Sequence, residues 1–155
     1  MSFTRRLIMY ESRLKKLLKK DLTRLGWFAR KLVATGNGGF PDIIATAEGV
    51  FIGIEAKTLD NKSKPFDELV DKWSHLQIHD ARELITKGNH YMLVGSNDKR
   101  EVFTLIWHKS QTYELPEVEN KLKGACMEKF VNYDAFLKLF FDDGYIGRER
   151  RKEWM

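Results

Sequence analysis

The chain of 155 residues contains one cysteine, Cys126. A lone thiol excludes an internal disulfide and any zinc site built from cysteines, and it suits a reducing cytosol. No apolar run approaches a membrane span, and the basic N-terminus leads into no signal-peptide core. A cytoplasmic protein is the expectation. Repeats, low-complexity tracts and linkers are also lacking, so residues 1–155 read as one domain, with a core over 4–107 and a C-terminal helix and basic tail over 133–155. His75 and His79 have the i, i+4 spacing of zinc ligands, but "HLQIH" lacks the glutamate of H-E-x-x-H, and they read as surface residues. "GNGG" is followed by no Gly-Lys-Ser/Thr, which excludes a phosphate loop of that kind.

Charge of one sign is plentiful, and it is clustered. The formal net charge is +5, from 27 basic and 22 acidic residues. Ten basic residues lie between Met1 and Lys31, against Glu11 and Asp21 alone, and a second cluster runs from Arg148 to Lys152. Such clustering fits a polyanionic partner, and it equally fits a solvated helix face.

Apolar periodicity predicts a helix over Thr4 to Leu25, stopped by Gly26, and a strand over Trp27 to Val33. A turn over Ala34 to Gly39 follows, then a hairpin of Asp42 to Thr46 and Val50 to Lys57. A second helix is expected over Phe66 to Lys87, strands over His90 to Gly95 and Val102 to Trp107, irregular chain over Ser110 to Gly124, and a third helix over Tyr133 to Phe141. The order α-β-β-β-α-β-β-α makes an α/β fold, a mixed sheet flanked by helices. Phe136, Phe140 and Phe141 read as core or dimer interface, and Cys126 as an unreactive core residue.

The hairpin "GGFPDIIATAEGVFIGIEAK" carries charges among its isoleucines. Strand alternation sets Phe51, Gly53, Glu55 and Lys57 on one face, and Asp42 can stand beside them if the register allows. Two carboxylates that close repel unless a cation lies between them. Oxygen ligands alone favour a hard ion, magnesium or manganese. A structural Lys57–Glu55 pair, with Asp42 capping a turn, is the alternative. At about 100° per residue, Glu11 falls between Leu18 and Leu22 on the first helix, and Gln77 falls between Trp73 and Ala81 on the second. A polar group on a core-facing stripe needs a buried partner, so both point to a shared polar site.

Pro41-Asp42, then Glu55-Ala56-Lys57, with Glu11 upstream and Gln77 downstream on helices, resembles the PD-(D/E)xK nuclease superfamily. The run "GGFPDIIA…GVFIGIEAK…Q…ITKGNHYMLVG" looks most like VRR-NUC domains and the Hjc/RecU-type Holliday junction resolvases, compact phage versions included. The resemblance implies a restriction-endonuclease-like fold and a magnesium-dependent endonuclease, manganese substituting, that acts on branched DNA as a homodimer. A nickase or flap nuclease, or a nucleic-acid-binding protein that no longer cuts, is the alternative.

On that reading Asp42, Glu55 and the Ala56 carbonyl hold the metal, and Glu11 completes a second site or binds its water shell. Lys57 orients or activates the attacking water, and Gln77 holds the Lys57 neighbourhood or the substrate backbone. The implied product is a nick with 5′-phosphate and 3′-hydroxyl ends. Arg30, Lys31, Lys62 and Lys64 border the site and read as phosphate contacts, as do Lys15, Lys16, Lys19 and Lys20 on the first helix.

Overall fold

The computed structural model describes residues 11–32, 38–60, 63–108 and 114–146. The N-terminal part of the first expected helix, the turn around Ala34, Lys62 and the Arg148–Lys152 tail lie outside them.

The elements run α1 (Glu11–Arg24), β1 (Phe28–Lys31), β2 (Ile43–Ala47), β3 (Val50–Thr58), α2 (Pro65–Asp71), α3 (His75–Thr86), β4 (His90–Ser96), β5 (Val102–Trp107), β6 (Cys126–Phe130) and α4 (Tyr133–Leu137), the last continued by a π-helical turn, Lys138–Asp142. All six strands join one sheet in sequence order. Neighbours pair antiparallel except β3 and β4, which are parallel. A parallel pair needs a long crossover, and α2 with α3 supplies it. The result is a mixed sheet flanked by helices, as expected, with a different element order.

Three differences separate this order from the expected one. The helix expected over Phe66 to Lys87 is two helices, because Ser74 caps a new one: its hydroxyl accepts from the Gln77 N–H, and the Gln77 side chain accepts from the Ser74 N–H. β6 is an additional strand. Met127, Glu128 and Lys129 are all exposed on it, so it lacks the alternation that announces a strand. The third helix keeps α-geometry only to Leu137 before widening into the π turn, where Phe140 and Phe141 are buried.

Both faces of the sheet are covered. On one, Leu14, Leu18 and Leu22 of α1 pack with Ile43, Ile52, Ile54 and Ala56 and with Phe136 and Phe140. On the other, Ile78, Ala81 and Ile85 of α3 and Leu69 of α2 pack with Tyr91, Leu93, Leu105 and Trp107. The central strand β4 is buried along its whole length. Cys126 is half-buried on β6 rather than inside the core.

Strand lengths position the site. The β2–β3 register ends at Ile43 opposite Ile54, while β3 continues to Thr58. Residues 55–58 therefore run past the end of β2, although they still pair with β4 on the other side.

Candidate active site

The exposed edge of β3 is filled by a side chain. Asp42, just before β2, accepts the Ala56 N–H on Oδ2 at 2.9 Å, where a further β2 residue would otherwise have paired. In a strand the N–H and C=O of one residue point the same way. The Ala56 carbonyl thus faces the same unpaired edge, beside the Asp42 carboxylate. Gly39 holds the loop that delivers Asp42. A Cβ there would lie 2.4 Å from Asp80 Oδ2 and 2.9 Å from the Leu76 carbonyl, so only glycine lets this backbone sit against α3.

Alternation sends Glu55 and Lys57 to the α3 face, and Gln77 meets both. Lys57 Nζ donates to Gln77 Oε1 at 3.0 Å, and Gln77 Nε2 donates to Glu55 Oε2 at 3.2 Å. Those two partners fix the amide orientation, because its oxygen must accept and its nitrogen must donate. The capping box holds the same oxygen against the Ser74 N–H at 3.0 Å. Lys57 Nζ also lies 3.7 Å from Glu55 Oε2, an ion pair as the structural alternative requires. That pair leaves Glu55 Oε1 buried with no partner unless a proton is shared with Asp42. Ion pairing alone therefore does not complete the site.

The electrostatics point the same way. Burial first, then the Asp42 carboxylate close enough to share a proton, push the Glu55 carboxyl up to about 9; Lys57 opposes this and Glu11 adds to it. A deprotonated Glu55 beside Asp42 needs more positive charge than Lys57 gives.

Among the described residues, no group of three or more His, Cys, Asp or Glu side chains could hold a metal ion. The donors at this point are two carboxylates and a main-chain carbonyl. That is too few for calcium, but it fits magnesium, which keeps several waters and takes one or two carboxylates together with phosphate oxygens.

Glu11 requires a correction. It lies in phase with Leu14, Leu18 and Leu22, yet it is exposed, at the first turn of α1 beside the last residue of β3. Its N–H donates to Thr58 Oγ1 at 2.8 Å, and its charge is felt at Glu55. Glu11 thus stands at the rim of the site rather than within a buried stripe. Lys15 also departs from expectation. Its Nζ lies 3.6 Å from Asp42 Oδ1, so it faces the site and not the surface of the helix. Its neighbours Lys16, Lys19 and Lys20 are exposed, as are Arg30, Lys31 and Lys64. Arg30 lies over the exposed Phe28 ring, 5.4 Å from its centroid. His75 and His79 are exposed and line a groove with Arg82 and Glu117, away from Glu55.

Sequence reasoning missed two contributors. Ser74 was findable from the S-x-x-Q pattern of a capping box ahead of an apolar run. Lys15 had only its place one turn after Glu11 as a signal.

No protein-family model and no curated protein matches the chain. Among solved structures it is similar to a VRR_NUC domain, with 27% identity and a TM-score of 0.41 over 57% of this chain and 86% of that one. It is also similar to Hjc, a Holliday junction resolvase from the archaeal hyperthermophile Archaeoglobus fulgidus, with 16% identity and a TM-score of 0.38 over 65% of this chain and 74% of that one.

Proposed function

We propose that the chain is a magnesium-dependent endonuclease of the PD-(D/E)xK superfamily, with a restriction-endonuclease-like fold, that cuts branched DNA as a homodimer. One observation carries the reading: Asp42 and Glu55 meet at an unpaired strand edge, Lys57 stands beside them, and the second Glu55 oxygen has no partner beyond a proton shared with Asp42. A fold gains little from such a carboxylate pair, since drawing the two together is costly even with Lys57 and Lys15 beside them.

Asp42, Glu55 and the Ala56 carbonyl would hold magnesium, or manganese in its place. Such an ion supplies an acidified water and neutralises charge on a phosphate. Lys57 then has two tasks within reach of its Nζ: to hydrogen-bond the attacking water and to offset negative charge on the phosphate. Gln77 keeps Lys57 and Glu55 aligned through one amide, and as a neutral group it adds no charge to the site. Glu11, at the rim, is placed to accept from water around the ion or to share a second one.

DNA is held through its phosphates by Lys16, Lys19 and Lys20 on α1 and by Arg30, Lys31, Lys62 and Lys64. These contacts position a duplex without reading bases. Shape then selects the substrate, and a four-way junction cut symmetrically needs two such sites, hence two chains. A panel of synthetic four-way junction, flap, nicked duplex, linear duplex and single strand tests this. Paired, symmetric nicks in the junction together with a dimer in sedimentation are expected. A monomer that prefers flaps would remove the resolvase and leave the nuclease.

A further inference from the structure

Lys15 sits where its neighbours do not. Lys16, Lys19 and Lys20 reach solvent, whereas the Lys15 side chain keeps 19% of its exposure and brings Nζ to 3.6 Å from Asp42 Oδ1. It can do so because the Asp42 carboxylate lies beyond the end of β2, in line with the sheet. Gln77 approaches this edge from the α3 face, and Lys15 approaches it from the α1 face. The other Asp42 oxygen is already engaged by the Ala56 N–H. A charge-assisted hydrogen bond is about 2.7–2.9 Å long. The Lys15 contact is longer, so it is mainly coulombic and can part without loss of a close hydrogen bond.

We propose that Lys15 is the counter-cation of the metal-free site, holding Asp42 beside Glu55 until a divalent cation displaces it. The inference rests on the metal-dependent reading above and moves Lys15 from the DNA-binding face into the site as a positioning residue. An ammonium on a flexible four-carbon stem suits the role, being a compact point charge that is readily withdrawn. Its cost falls on metal affinity, because the incoming ion must compete with a positive charge already beside Asp42. Removing one unit charge a few ångströms away, in a partly solvated site, should tighten metal binding by about tenfold.

The test titrates Mn2+ into the metal-free full-length protein by calorimetry, comparing wild type with Lys15→Met, Lys15→Arg and the net-charge control Lys16→Met. Lys15→Met should bind about tenfold more tightly, and Lys16→Met should stay within about twofold of wild type, since exposed charges are screened. Lys15→Arg, which keeps the charge, should bind no more tightly than wild type. The rise in Tm on adding Mn2+ should be larger for Lys15→Met than for wild type, because the metal-free form has lost its counter-cation. Should the methionine variant not fold, Lys15→Gln makes the same comparison. Wild type that binds Mn2+ while Lys15→Met and Lys16→Met match each other would overturn the role of Lys15 and leave the metal site standing. Wild type that binds no Mn2+ would overturn the metal reading itself, and this inference with it.

Discussion

Glu55→Gln isolates the proton that the metal-free site is expected to carry. The Glu55 carboxyl is raised from its ordinary 4.5 to about 9, by burial first and by Asp42 second. Between those values the folded protein keeps a proton that the unfolded chain has released, so stability falls as pH rises through the window. Below 4.5 both states are protonated and the group contributes no slope. One such group contributes about 1.4 kcal/mol per pH unit. Glutamine copies the shape of the neutral acid and cannot ionise. The variant should therefore match wild type near pH 5 and exceed it by a margin that widens with pH, reaching at most about 4 kcal/mol at pH 8 if the full slope holds over three units. Urea unfolding in EDTA, followed by tryptophan fluorescence at pH 5, 6, 7 and 8, measures the difference directly. Parallel stability curves for the two proteins would show that Glu55 carries no extra proton in the folded state, and the argument from its burial would fail. Saturating magnesium should cancel the slope in wild type alone, releasing about one proton per ion at pH 7 because the ligand must be ionised.

The other predictions follow from single contacts. Gln77→Ala unclamps both Lys57 and Glu55, so cleavage should fall by about a hundredfold or more with a destabilisation of only about 1–2 kcal/mol, by kinetics and urea unfolding; an unchanged rate would remove Gln77 from the site. Gly39→Ala forces the loop before Asp42 off α3 and should reduce both Tm and cleavage, whereas a neutral outcome would show that the close approach is dispensable. Replacing Lys16, Lys19 and Lys20 together by glutamine should flatten the log–log salt dependence of DNA binding by about 2.7, at about 0.9 per phosphate contact. The rate at saturating DNA should hardly change, and an unaltered salt slope would move the DNA elsewhere.

Much of the site was legible because it depends on short periods. Period-two alternation places Glu55 and Lys57 on one face of β3 regardless of what surrounds it, and Gln77 keeps its phase because α3 contains its whole stripe from Gln77 to Ile85. Glu11 shows the limit of the same argument. Helix phase gives the direction of a side chain, but not whether anything packs over it, and Glu11 is exposed. Lys15 was less legible still, since its contact depends on where β2 stops relative to β3. In the fold, the break between α2 and α3 was hidden by apolar spacing that runs through Leu69, Val70 and Trp73 up to the cap. Strand β6 left no trace, because an edge strand with exposed Met127, Glu128 and Lys129 is held by backbone pairing to β5 rather than by burial.

Cleavage of a labelled four-way junction by wild type, Asp42→Asn and Lys57→Ala, each with magnesium and with EDTA, tests the central claim most directly. Wild type with magnesium should leave nicks with 5′-phosphate ends, and EDTA should abolish them. Both variants should bind the junction with near wild-type affinity and cut it at least about a thousandfold more slowly, as expected when a transition-state contact is lost. Cutting by Asp42→Asn at the wild-type rate, or cutting that survives EDTA, would contradict the account.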